Sequence, residues 1–260
     1  MGGEGKKGRD ERTCVKVPLT SAGIAAAKIL QNDGIDTLGT GLFNIFQAAA
    51  ASQVGQYAVS MYFNSPKAWF DAAEWADVPQ PATEHPMASR HARLRLLYDY
   101  LEESTGQKQP QIKTASCVSA RECLALYELG AHHLTLNKPT LEDLLVCGDV
   151  PEYKKGLWKI PIRKQMEDHD FTWEKWEAPL HDQVKLSLVE VAKVDPQSAV
   201  QEEDWIKEVI SIDYLESGAL DKINELDAVT KEYLGFSLDV FSKLEAQSKE
   251  FLEKKMAQVM

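Results

Sequence analysis

Between Cys14 and Cys147 the chain alternates short apolar runs with helix-forming runs, and this alternation constrains the fold more than any other feature. Repeated strand–helix units of this kind assemble into a parallel sheet covered by helices. The first unit is Val15-Lys16-Val17-Pro18, followed by a Thr20-Ser21 helix start and an alanine-rich run that Asn32-Asp33-Gly34 stops. A second strand is expected over 35–43 with a helix over 44–53, and a third strand over 57–63. Residues 65–87, rich in proline and carrying Trp69 and Trp75, are expected to be a long loop with a short helix. An amphipathic helix over 90–104 precedes a fourth strand over 112–118, a helix over 120–129 and a fifth strand over 133–137. One more short helix is expected over 140–146.

The first strand carries the chemistry. Successive strand side chains face opposite ways, so Val15 and Val17 can pack beneath a helix while Lys16 points to the other side. If that side is the interior of a parallel barrel, Lys16 becomes a buried amine. Burial disfavours the ammonium form and leaves a lone pair able to attack a carbonyl. The same alternation groups Leu38, Thr40 and Leu42 on one face, Ala58, Ser60 and Tyr62 on a second, and Thr114, Ser116 and Val118 on a third. Each set holds the polar residue that a barrel interior would need.

Charge narrows the partners. Lys+Arg 29 against Asp+Glu 40 gives a net charge of −11, which argues against a nucleic-acid or anionic-membrane surface. No run is long enough to span a bilayer, and no apolar signal segment follows Met1. The four cysteines are scattered without a CxxC pair, and the histidines lack metal-ligand spacing, so reduced cysteines, a cytoplasmic location and no metal site are expected.

The organisation follows from these shifts in character. Residues 1–13 read as a charged, flexible tail and 14–147 as a partial barrel. Residues 148–203 read as an irregular segment with Trp158, Trp173 and Trp176, and 204–260 as C-terminal helices packed on the barrel. Breaks are expected near Gly218 and Gly235. The apolar stripe Val240, Phe241, Leu244, Phe251, Leu252 and Met256 is too short for sustained heptads and is expected to dock on the domain.

Val15-Lys16-Val17-Pro18 with Gly23-Ile24 and Ala26-Ala27, Gly34-Ile35, Thr40, and Leu42-Phe43 with Gln47-Ala48 together resemble the transaldolase family. Val59-Ser60, Ala115-Ser116, and Gly130-Ala131 with Leu134-Thr135-Leu136 extend the resemblance through 14–147. It implies an α/β fold of (βα)8 TIM-barrel type, incomplete, with these segments as strands four to eight and strands one to three missing. It also implies a lysine Schiff base that passes a dihydroxyacetone unit from a ketose sugar or sugar phosphate to an aldehyde, with no cofactor. Lys16 then matches the nucleophile, Thr40 the residue that positions a catalytic water, and Ser60, Tyr62 and Ser116 the substrate pocket.

Several positions depart from the family pattern. Its acid–base carboxylates lie on strands one and three, and Glu4, Asp10 and Glu11 stand in a tail without strand pattern. Leu38 replaces an asparagine and Tyr62 a phenylalanine. Ser65 and Val118 replace the two basic residues that clamp a substrate phosphate, leaving Arg121 as the nearest guanidinium. The tetrapeptide Trp158-Lys159-Ile160-Pro161 mimics the Lys16 motif without its helix start. Three readings stay open: a Schiff-base enzyme, a catalytically impaired relative acting as an interaction protein, and a truncated chain. Five strands with two open edges would pair as a homo-oligomer, cover those edges with the segment after Pro151, or be marginally stable.

Overall fold

The computed structural model describes residues 13–147 and 205–259. Glu4, Asp10 and Glu11, and the Trp-containing segment with its Lys159 mimic, lie outside the described residues.

Five parallel strands form one sheet in the order β1 to β5: Cys14–Pro18, Asp36–Leu42, Ala58–Met61, Gln111–Thr114 and His133–Leu134. Helix α1 (Ser21–Asn32) links β1 to β2, and α2 (Ile45–Gln53) links β2 to β3. The longer connection to β4 holds two 3-10 turns (Pro66–Trp69 and Ala72–Glu74), the single-turn α3 (Pro81–Glu84) and α4 (Ala88–Thr105). Helix α5 (Ala120–Glu128) precedes β5, and α6 (Lys138–Val146) follows it. Beyond residue 204 come α7 (Trp205–Ser211), α8 (Ala219–Leu226) and α9 (Ala228–Val259). A sheet whose neighbours are consecutive, parallel and helix-linked is of the type found in TIM barrels.

Local chemistry explains the helix starts. Thr20 caps α1 by accepting from the Gly23 amide at 3.1 Å. Glycine is obligatory at position 23, because a Cβ there would lie 1.8 Å from the Pro18 carbonyl oxygen. Asn44 and Gln47 form a reciprocal capping box at α2. Asn137 caps α6 by accepting from the Thr140 amide.

Strand register sorts the two faces. Val17, Gly39, Val59 and Ile112 are aligned across β1 to β4. Val17, Val59 and Ile112 join Ile24, Ala27 and Leu97 in the apolar core beneath the helices. Lys16, Leu38 and Ala58 align on the opposite face, as strand alternation requires. The expected grouping of Thr114 with Ser116 is corrected. Because Ile112 faces the core, so does Thr114, whose hydroxyl pairs with His91 of α4 at 2.8 Å. Ser116 leaves that face because its φ of +64° breaks the strand alternation.

The C-terminal helices are fastened by buried polar groups. Arg90 of α4, only 1% exposed, grips Asp227 with both terminal nitrogens and also donates to the Phe43 carbonyl. Burial pushes the Asp227 carboxyl up, but the Arg90 guanidinium outweighs it and holds the group below its usual range. Asn44 donates to Asn224 and to Thr230, while Asn224 and Gln47 both donate to the Leu19 carbonyl. At the other end of α8 the Ser21 amide donates to Asp221, whose amide donates in turn to the Ser21 hydroxyl.

Two expectations for this region are corrected. The helical run does break at Gly218, which has φ of +75°, but α9 continues through Gly235. One interior glycine costs a helix about 1 kcal/mol, which neighbouring turns absorb. The break falls instead at Asp227, where the carboxylate accepts from the Val229 amide and the Thr230 hydroxyl. The apolar stripe docks only in its first part. Leu244, Phe251, Leu252 and Met256 are between 54% and 64% exposed.

Removing one member of a buried ion pair leaves an uncompensated charge, which costs about 3–5 kcal/mol. Asp227→Ala is therefore expected to lower the unfolding free energy by that much, moving the urea midpoint down, and to raise protease cleavage in α8 and α9. An unchanged urea midpoint would refute the role given to the pair.

Candidate active site

The C-terminal ends of the strands, together with α9, enclose a cavity of about 300 Å³. Lys16 of β1 supplies one wall, Tyr62 follows β3, Ala115 and Ser116 follow β4, and Thr135 to Asn137 follow β5. The turn with Pro66, Trp69 and Phe70 and the α9 residues Phe236, Ser237, Val240 and Phe241 complete it. Helix α9 comes close because position 41 is a glycine at φ +69°, where a Cβ would meet Leu234 of α9 at 2.9 Å. The same residue coincides with a register shift between Thr40 and Leu42.

Lys16 is less enclosed than expected. The residue is exposed overall, and the cavity whose wall it joins is open to solvent. Its surroundings nevertheless desolvate the amine enough to lower its pKa from the ordinary 10.5. Its register partner Leu38 offers no hydrogen bond. Tyr62 lines the same cavity, with its hydroxyl 3.4 Å from Thr40 Oγ1. Burial raises the Tyr62 phenol, and the Thr40 contact partly offsets the shift.

The five candidate residues are thus placed unequally. Lys16, Tyr62 and Ser116 line the cavity directly, and Thr40 reaches it through Tyr62. Ser60, 2% exposed and aligned with Thr40 across β2 and β3, is not part of the lining. Ser116 has a buried Oγ without a hydrogen-bond partner and a left-handed backbone, a conformation that costs a non-glycine residue about 1–3 kcal/mol. Unsatisfied hydroxyls and strained backbone cluster at sites built to receive something.

Behind Ser116 lies a polar network that sequence reasoning missed. Asn64 donates to the Ser116 carbonyl at 2.8 Å and to Glu122 at 2.9 Å. Glu122 also accepts from the Trp75 indole and the Val118 amide. Burial raises its carboxyl, against the pull of those donors. His85 pairs with Asn64 through Nε2 and stacks on Phe63. The Ser119-x-x-Glu122 spacing was the available signal, since it marks a capping box. Arg121 turns away, donating to the Val78 carbonyl and pairing with Asp77 at 3.7 Å. Ser65 is buried and accepts from the Lys67 amide.

Comparison with known proteins now has a geometry to meet. The sequence profile of the family described as Transaldolase/Fructose-6-phosphate aldolase matches residues 5–190. This chain belongs to that family. A transaldolase of Sodalis glossinidius (strain morsitans) is 27% identical over 194 residues, 74% of this chain and 57% of the relative. One from Vibrio parahaemolyticus serotype O3:K6 is 30% identical over 175 residues, 66% of this chain and 52% of the relative. One from Actinobacillus pleuropneumoniae serotype 3 is 24% identical over 200 residues, 74% and 60% respectively. The chain therefore spans between 52% and 60% of the length of these transaldolases.

Burial lowers the His85 pKa from 6.5 to about 3 and that of His91 to about 4. An unfolded histidine binds a proton near pH 6.5, whereas these remain neutral in the native state. Their contribution to stability is full above pH 6.5 and is lost as pH falls toward 4. The raised Glu122 acts in the opposite direction, so a variant comparison isolates the histidines. Urea midpoints of His85→Gln are expected to fall less steeply between pH 6.5 and 4.5 than those of the unaltered chain. Equal slopes would contradict the assignment.

Proposed function

We propose that the cavity is the active site of a Schiff-base aldolase or transaldolase, with Lys16 as its nucleophile. The observation that carries this is a lysine of lowered pKa in the wall of a 300 Å³ cavity that also holds the Tyr62 hydroxyl. An amine with an accessible lone pair condenses with a ketone, taking up one proton and releasing water to leave an iminium on Lys16. In the transaldolase direction a ketose bound in this way breaks its C3–C4 bond as the C4 hydroxyl loses a proton. The aldehyde departs and the three remaining carbons stay on Lys16 as an enamine. The enamine carbon then bonds to the carbonyl carbon of an acceptor aldehyde, whose oxygen takes up a proton. Water finally hydrolyses the iminium and frees the amine.

Tyr62 is the lining group suited to moving those protons, and Thr40 orients it. A positioned acid–base group contributes roughly 10²–10⁴-fold. The parallel sheet and its consecutive order support assigning β1 to β5 as strands four to eight of the barrel. The four free cysteines suit a cytoplasmic enzyme, and no helix among the described residues is long and apolar enough to cross a membrane.

A second reading, a catalytically impaired relative acting through contacts, has one observation in its favour. Among the described residues no carboxylate lines the cavity. Incubation with dihydroxyacetone followed by borohydride reduction and peptide mass mapping separates the two. An adduct on Lys16, absent in Lys16→Ala, is expected for the enzyme, with Tyr62→Phe slowing turnover by roughly 10²–10⁴-fold. An unmodified Lys16 in folded protein would favour the impaired relative.

A further inference from the structure

The lining of the cavity is unlike one that holds a sugar phosphate. Around Lys16 it presents the aromatic rings of Tyr62, Trp69, Phe70, Phe236 and Phe241. Trp69 is 39% and Phe70 is 75% exposed, so these rings form an open apolar rim and are not buried packing. Phe70 and Phe236 meet edge to face, with centroids 6.2 Å apart.

Among the described residues, no fixed cation waits for a phosphate in the lining. Lys16 is the single cationic side chain in the lining among the described residues, and the reaction needs it uncharged. Lys67 stands at the rim with its amine 5.9 Å from the Phe236 centroid, but it is already paired with Glu232. Arg121 is held by Val78 and Asp77. A phosphate here would have to displace Glu232 from Lys67, and the chain's net charge of −11 opposes its approach.

Size agrees with a different ligand. An apolar cavity of about 150 Å³ accommodates benzene. The 300 Å³ here leaves room for one aryl ring and a short carbonyl chain reaching Lys16. Thr135 and Asn137 also line the cavity and supply polar residues for the oxygens of that chain.

We propose that this cavity selects an uncharged carbonyl compound bearing an aryl group, seated among Trp69, Phe236 and Phe241, in preference to a phosphorylated sugar. The inference rests on Lys16 as the Schiff-base lysine and specifies its substrate class. The covalent step is unchanged: the neutral amine adds to the carbonyl, a proton from solvent is taken up as water leaves, and borohydride delivers hydride to the iminium to give a stable secondary amine.

The test uses the full chain and two matched pairs of ketones, with adduct on Lys16 measured against ketone concentration after borohydride reduction. 4-Phenylbutan-2-one is expected to half-saturate at a concentration at least tenfold lower than butan-2-one, as burial of a phenyl group predicts. Dihydroxyacetone phosphate is expected to show no advantage over dihydroxyacetone. Trp69→Ala and Phe241→Ala should each raise half-saturation by the aryl ketone about tenfold more than they raise half-saturation by dihydroxyacetone. Adducts that form with no aryl preference, or with a salt-sensitive gain from phosphate, overturn the substrate class alone. No adduct with any ketone overturns the role of Lys16 as well. An aryl-ketone half-saturation that rises with protein concentration shows the aromatic rim covered by a second copy, and also overturns the proposal.

Discussion

The Arg90–Asp227 pair joins the two parts of the molecule that make the cavity. Arg90 comes from a helix on the sheet, and Asp227 from the junction that starts α9. Both are nearly free of solvent, so each charge depends on the other. Thr230 and the Phe43 carbonyl take up further hydrogen-bonding capacity, and the Asn44, Asn224 and Gln47 contacts extend the fastening to β1 and β2. The clasp adds to the apolar seat of α9, where Leu234 is buried in the core and Tyr233 meets Phe43 edge to face. Together they hold Phe236, Val240 and Phe241 over the cavity beside Lys16.

Lys16 reflects a compromise in its surroundings. A fully enclosed amine would be the stronger nucleophile per site, but a substrate must also reach it. The open side of the cavity provides entry, while burial in its wall lowers the pKa of the amine and so raises its neutral fraction. Tyr62 shows the same balance, being raised by burial and tempered by Thr40. Lys16 lies on β1 and Tyr62 directly after β3, and the register of β1, β2 and β3 brings them to one face.

Ser116 shows how one residue redirects a wall. The strand before it sends Thr114 toward His91 in the core, yet the residue after Ala115 lines the cavity. The change of direction is a single left-handed φ, held in place by Asn64 donating to the Ser116 carbonyl. Asn64 is held in turn by Glu122 and His85, neither of which touches the cavity. The strain at the wall is thus supported from behind by a buried network whose ionisable members are shifted toward neutrality.

The local code was legible in the chain because it depends on neighbours. The Thr20 and Asn44 helix starts, the stop at Asn32-Asp33-Gly34 and the placing of Lys16 opposite Val17 follow from capping chemistry and strand alternation. Family membership was legible too, since the strand motifs recur at fixed spacing. Thr114 was misplaced because alternation cannot foresee a left-handed residue two positions later. The unbroken passage of α9 through Gly235, the loose end of its apolar stripe and the aromatic rim drawn from residues 69 and 241 had no local signal. The rim depends on contacts between segments more than a hundred residues apart, and only the folded chain sets which faces meet.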